Sequence, residues 1–306
     1  RSTLFPYTTL FRSRTGATEL GGLRAASRRD SVAWIRFLMW LEEEVPRRAA
    51  ASRPVTELEA EEKILEYRRT LPDFVYPSFR TISASDASAA MCHYAAPSSG
   101  GRHIQPDSIY LIDSGGQYQD GTTDTTRTVC LGTAPAEVRR NYTLVLKGHA
   151  RLASARFPAG TRGHQIDAFA REPLWRYGLD YDHGTGHGVG HFLSVHEHPQ
   201  RLMKDASPAG FQAGMTLTNE PGYYRAGEYG IRIENLCEIV QSGEGFLKLR
   251  EMTLVPISSR LIDPALLEPL ERSWLNAYHT RVREEMSALF EDRRTRVWLA
   301  HATAPL

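Results

Sequence analysis

The sequence predicts an α+β fold. Three observations carry that reading. Helical-period segments occupy both ends of the chain and recur in its middle, while short β-rich runs broken by Gly, Ser and Asp clusters come in blocks between them. The blocks alternate irregularly with helix pairs, which disfavours a doubly wound parallel sheet. No short-period repeat is present.

Taken in order, the first helix is expected from Ala17 to Val45, where Leu20, Leu23, Val32, Ile35, Leu38, Met39 and Leu41 recur at helical spacing and Pro46 should close the run. A polar linker, RRAAASRP, leads to Thr56 with Glu59 three residues later, a capping-box pattern that opens a second helix through about Arg69. Between Phe74 and Thr128 the texture turns to strands such as SIYLID and TRTVCL. Helices are expected again over Ala136–Ala155 and Gln165–Tyr177. A Gly/His-rich stretch follows, then strands at MTLTNE, GIRIENLCEIV and FLKLREMTLVP, and a helical tail from Pro264 to His301.

Composition narrows the function. The 306 residues are 41% hydrophobic, enough for one large core or two modest ones. Lys plus Arg number 37 against 36 for Asp plus Glu, so net charge draws the chain to neither nucleic acid nor an anionic membrane. No apolar run suggests a membrane span, and no secretory pattern is visible. Cys92, Cys130 and Cys237 are widely spaced and odd in number, which fits reduced thiols in the core of a cytoplasmic protein. Residues 3–13, TLFPYTTLFRS, read like a translated sequencing adapter, so residues 1–13 are set aside and the natural chain is expected from Arg14.

The stretch IDSGGQYQDGTTD places Asp113 and Asp124 at either end of a Gly-rich turn. With a four-residue loop, Tyr118 to Gly121, Asp124 lies opposite Gly115 and the two acids form a diagonal pair about 7–8 Å apart on one face. A tighter Asp120-Gly121 turn would separate them by four residues. Both registers are open. Either way the acids repel unless a proton or a metal lies between them, and Asp alone is also a common turn residue.

Further ligand types accumulate downstream. HGTGHGVGHFLSVHEHP holds His183, His187, His191, His196 and His198, a density unusual for a core. It contains neither a zincin H-E-x-x-H nor a dinucleotide G-x-G-x-x-G. Glu220 precedes Pro221, which biases it to an extended strand end. Glu234 shares a strand face with Arg232, while Ile231 and Ile233 point the other way. Glu238, on the same parity, is read as an ordinary surface acid. Asp113, Asp124, Glu220, Glu234 and His187 together nearly balance two divalent cations and contain no thiolate, which suits Mn²⁺ or Co²⁺ better than structural zinc.

This order, D-x10-D then His, Glu and Glu, with GTGHGVG, NEPGYY, GIRIEN, HYAAP at His93 and RSWLNAYH at Arg272–His279, resembles the pita-bread metallopeptidases, specifically the cytosolic Xaa-Pro aminopeptidases (aminopeptidase P). The resemblance runs from about Ala17 to Leu306. It implies a pita-bread catalytic domain over 14–256 and a helical C-terminal extension over 257–306, with two further domains ahead of it in related enzymes. It also implies a cytoplasmic homodimer that hydrolyses the N-terminal bond of peptides with Pro second, using two divalent ions, Mn²⁺ before Co²⁺ or Zn²⁺. Asp113 would hold one ion, His187 and Glu220 the other, and Asp124 and Glu234 both. Glu220 would double as general base, with His93, His183 and His196 on the substrate side and Arg232 and Tyr224 supporting the site. Prolidase shares the ligand pattern, so an Xaa-Pro dipeptidase is the alternative. An inactive peptide-binding protein would be expected to have broken ligands, and all five are present.

Overall fold

The computed structural model describes residues 15–207 and 209–306, so the adapter-like segment lies outside the described residues. Helix α1 (Ala17–Ala50) buries Leu23, Trp34, Ile35, Phe37, Leu41 and Val45 along the expected apolar stripe. It does not stop at Pro46 but continues through it to Ala50. A proline this close to the helix end disrupts little of the ladder, and Arg48, bonded to the carbonyls of Arg53 and Pro54 and to Glu59, fixes the last turn. After strand β1 (Val55–Thr56), helix α2 (Glu57–Arg69) starts on the expected capping box between Thr56 and Glu59.

The first β block comprises β2 (Phe74–Pro77), β3 (Ile82–Ser85), β4 (His103–Ile104), β5 (Tyr110–Ser114), β6 (Gly116–Tyr118), β7 (Gly121–Thr122) and β8 (Thr125–Val129). The second half contains α3 (Ala136–Ala153), β9 (Arg156–Pro158), the short helices α4 (Gly163–Ile166) and α5 (Ala168–Trp175), and β10 (Gly186–Gly188). It continues with β11 (Glu197–Leu202), β12 (Thr216–Asn219), β13 (Gly222–Arg225), β14 (Tyr229–Arg232), β15 (Asn235–Gln241) and β16 (Phe246–Glu251). The helix expected over 165–177 is thus divided at Asp167, whose carboxylate accepts from Arg171 and Thr185. The tail forms α6 (Pro269–Ser287) and α7 (Arg293–Ala302), helical as expected.

The two main sheets are antiparallel, ordered β3-β5-β8 and β12-β15-β16-β9. Each is backed by a helix. Trp34, Phe37 and Leu41 of α1 cluster with Tyr110 and Ile112 of β5, and Leu152 of α3 clusters with Leu217, Ile239 and Leu249 of the second sheet. Strand alternation then sends the neighbours of these residues to the opposite face.

Of the two open hairpin registers, the structure adopts the first. Gln117 pairs with Thr122 and Tyr118 with Gly121, and further along Asp113 pairs with Thr126 and Ser114 with Thr125. Asp124 therefore comes level with Gly115, where a Cβ would meet the Thr123 carbonyl at 1.9 Å.

Two readings need correction. Glu238 is buried, not a surface acid, because Arg24 of α1 and Arg250 of β16 close over it. Cys130 and Cys237 are core residues as expected, but Cys92 is only half-buried and lines a cavity.

The first half is locked by a buried ion pair. Asp30 of α1 accepts from Arg68 Nε at 2.7 Å, Tyr118 OH at 2.8 Å and Thr123 Oγ1 at 2.9 Å, tying both helices to the β6–β7 turn. Asp30→Ala would strand a fully buried guanidinium, and urea unfolding should register a loss of about 3–5 kcal/mol. A loss within error of zero would mean that Arg68 finds solvent or another partner.

Candidate metal centre

Strand ends from both sheets converge on one cavity of about 620 Å³. Asp113 lies on β5, Asp124 immediately precedes β8, His187 is central in β10, Glu220 follows β12, and Glu234 fills the break between β14 and β15. All five line the cavity, as do His93, His183, His196 and Arg232. Ligand atoms of Asp124, His187 and Glu234 lie within 4.8 Å of one another. His187 Nε2 is 3.4 Å from Asp124 Oδ2 and 3.3 Å from Glu220 Oε1. Its Nδ1 faces the Gly188 carbonyl at 2.9 Å, which leaves Nε2 as the nitrogen aimed at the acids.

The remaining polar contacts orient the carboxylates. Asp113 Oδ2 accepts from Arg232 Nη2 at 2.7 Å, while its buried Oδ1 has no hydrogen-bond partner among the described residues. Thr126 Oγ1 donates to Glu234 Oε2 at 2.6 Å, and Thr218 Oγ1 donates to Glu220 Oε1 at 3.0 Å. These two threonines escaped the sequence reading, although each sits two residues from an acid and so shares its strand face: Thr126 from Asp124, Thr218 from Glu220.

The electrostatics are those of a site short of positive charge. Burial raises the carboxyls of Asp124, Glu220 and Glu234 above their usual range, and the neighbouring anions raise them further. Burial alone would lower His187, but the bond to Asp124 and the charge of Glu220 prevail and push it up to about 9. A set of four carboxylates and one imidazole, with an unpartnered buried oxygen on Asp113, fits a pair of divalent cations.

The other histidines differ. His183, lowered to about 3 by burial and by Arg232, and His196, lowered to about 4 by burial and by His187, are neutral rings at neutral pH. Arg232 Nη1 donates to Tyr224 OH at 2.6 Å, so the tyrosine proton is directed at His183 Nε2, 2.8 Å away, and His183 Nδ1–H at the Gly184 carbonyl, 2.7 Å away. Arg232 and Tyr224 thus connect Asp113 to His183. The His196 ring packs edge-on against His187 with centroids 4.2 Å apart. His198 reaches the cavity rim beside Arg201, whereas His191 is absent from the cavity lining and lies near Gly22 of α1.

An α+β fold whose strand ends gather acids and imidazoles into one cavity defines a protein with a candidate divalent-metal centre. The chain belongs to metallopeptidase family M24, which matches residues 21–241, and residues 245–306 match the C-terminal region of that family. Its fold is the pita-bread fold of the family. It is 45% identical to a probable Xaa-Pro aminopeptidase P of Fusarium vanettenii over 94% of this chain and 47% of that relative. It is 42% identical to aminopeptidase P2 of Arabidopsis thaliana over 94% of this chain and 41% of that relative. A crystal structure of the X-prolyl aminopeptidase of Caenorhabditis elegans, described as a cytosolic enzyme with a di-nuclear active site, superposes with a TM-score of 0.93 at 41% identity, over 97% of this chain and 49% of that one. The chain spans about half the length of the curated relatives it matches.

The shifted groups set a pH dependence. A raised carboxyl or imidazole binds more protons folded than unfolded, while the lowered rings of His183 and His196 act the other way only up to the ordinary histidine range. Above about pH 7 the metal-free fold therefore loses stability as pH rises through about 9, where His187 deprotonates. After chelation, the melting temperature should fall between about pH 7 and 9. Divalent metal should reverse that fall and release protons into a weakly buffered indicator solution. A flat profile without metal would contradict the placement of the acids.

Proposed function

We propose that the chain is the catalytic portion of an Xaa-Pro aminopeptidase, releasing the first residue of peptides that carry Pro second. The observation that carries this reading is the single cavity in which ligand-type side chains from five strand ends meet three further imidazoles. The choice of substrate is supported by relatives named for it. The 0.93 TM-score and 41% identity to the worm X-prolyl aminopeptidase, together with the relatives named Xaa-Pro aminopeptidase P, support the aminopeptidase reading over the dipeptidase. Two divalent ions held here, Mn²⁺ in this proposal, would supply the Lewis-acid chemistry of water activation and carbonyl polarisation.

The chain's own groups do the rest. Asp113 would hold one ion, His187 and Glu220 the other, with Asp124 and Glu234 shared between them. Glu220, raised by burial and by Asp124, accepts the proton of the attacking water. His93 and His196, whose rings make no hydrogen bond among the described residues, face the substrate. His183 is the third substrate-side ring in the same cavity, and Tyr224 ties it to Arg232. The bond preceding proline lacks an N–H and its φ is fixed, so a site shaped to that rigid unit can select it. We also propose a catalytic domain over 14–256, a C-terminal extension over 257–306, a homodimer, and a cytoplasmic setting like that of the worm enzyme.

With MnCl₂ the chain should release Arg from Arg-Pro-Pro faster than it cleaves an Xaa-Pro dipeptide. Glu220→Gln should cost about 10²–10⁴ in kcat/KM, and His187→Ala at least as much with loss of bound metal by elemental analysis. Faster turnover of the dipeptide would transfer the assignment to a dipeptidase. Absence of Arg release from metal-loaded chain would defeat it.

A further inference from the structure

Glu57, the first residue of α2, is fully buried, and no Lys, Arg or His pairs with it among the described residues. A carboxylate in that position is costly unless its oxygens are filled by donors. Here they are filled from one segment. Oε1 accepts from the Ser85 amide at 2.7 Å, and Oε2 accepts from Tyr94 OH at 2.6 Å and the Arg102 amide at 2.8 Å. The backbone of Glu57 repeats the grip, donating to the Arg102 carbonyl at 3.0 Å and accepting from Ser83 Oγ at 2.6 Å. The approach is so close that a Cβ on Gly101, itself at φ +75°, would stand 2.3 Å from Oε2. The N-terminal end of α2, with its free amide dipoles, favours a negative charge there.

The segment so held has little structure of its own. Between Ser85 and Arg102 it contains one 3₁₀ turn, Asp86–Ala90, and otherwise only turns and loops. Yet it delivers Cys92, His93, Tyr94 and Ala95 to the cavity wall. With no hydrogen bond on its own ring among the described residues, His93 takes its position from the backbone that carries it. Glu57 bonds both ends of that backbone and the side chain next to His93.

We propose that Glu57 is a positioning residue for the peptidase reaction, holding the 86–101 segment through Tyr94 so that His93 stands over the metal cluster. This rests on the reading of His93 as a substrate-side group. Misplacement of such a group by about 1 Å can cost about 10²-fold in rate, so the effect of losing the grip is measurable.

The test uses the Mn²⁺-loaded chain. Tyr94→Phe removes one hydroxyl and leaves the ring in the cavity wall; it should lower kcat/KM for Arg-Pro-Pro roughly tenfold with His93 present and leave it nearly unchanged in a His93→Ala background, the non-additivity of groups acting as a unit. A readout independent of turnover is Cys92, half-buried beside His93 while Cys130 and Cys237 are buried. Ellman's reagent should modify it several-fold faster in Glu57→Gln and in Tyr94→Phe than in the parent chain. Equal losses in both His93 backgrounds, or Cys92 labelling unchanged in Tyr94→Phe, would overturn the proposal. If Glu57→Gln does not fold, Tyr94→Phe decides alone. If the parent releases no Arg, the peptidase reading fails while Cys92 labelling still tests the grip.

Discussion

Four carboxylates share one buried cavity, and the fold must hold them there against their own repulsion. Burial and mutual charge act in the same direction, raising Asp124, Glu220 and Glu234 and drawing a proton onto His187. Arg232 is the guanidinium that reaches into the cluster. Its Nη2 binds Asp113, its Nη1 Tyr224 and its Nε Thr126 Oγ1, so every face of the cation is committed. One charge cannot balance four, and the remaining deficit is what makes the cavity a place for divalent cations. The fold pays for this frustration locally, at strand ends, where breaks in pairing free side chains to turn inward.

Hydroxyls orient two of the acids, Glu234 and Glu220. Thr126 occupies one oxygen of Glu234, and Thr218 bonds Glu220 while accepting from the His187 amide at 3.0 Å. A neutral donor orients a carboxylate without neutralising it. Close backbone contact keeps the frame rigid: a Cβ on Gly186 would meet the Thr218 carbonyl at 2.0 Å, so β10 rests directly against β12 and His187 is fixed relative to Glu220. Ligand spacing is therefore set by main-chain contact and not by flexible side chains.

How much of this was legible depended on the range of the interaction. Asp113 and Asp124 lie in one hairpin, so turn length sufficed to pair them, although choosing between two registers took the structure. The single strand expected through Arg232 and Glu234 instead breaks at 233–234 between two sheets, and Arg232 bonds Asp113. Glu220 was flagged by the proline after it. Where the partner is distant the sequence was silent: nothing in the neighbourhood of Glu238 announces that Arg24, 214 residues earlier, covers it. The same holds for Cys92, which looks apolar by composition and is placed at the cavity by a loop without periodicity. Pro46 misled because so near the helix end it removes little of the ladder, and the nearby bonds of Arg48 to Arg53, Pro54 and Glu59 hold the last turn.

The C-terminal helices belong to this same electrostatic design. Arg127 of β8 is completely buried and has no carboxylate partner among the described residues. It donates instead to the carbonyls of Thr126, Glu234, Val255 and Pro256 and to Asn235 Oδ1. Those acceptors bracket Glu234 and the chain leaving the second sheet, so the guanidinium fixes the backbone from which that acid projects. Tyr278 of α6 completes the shell, its hydroxyl lying 3.0 Å from Arg127 Nη2 and donating to the Val255 carbonyl, while His279 Nε2 accepts from the Ile257 amide. Without α6, Arg127 would lose one of its buried partners and the 253–257 segment its ties to Tyr278 and His279. A buried cation satisfied only by neutral dipoles tolerates few missing acceptors, which makes the tail a structural support of the acid cluster and not an appendage to it.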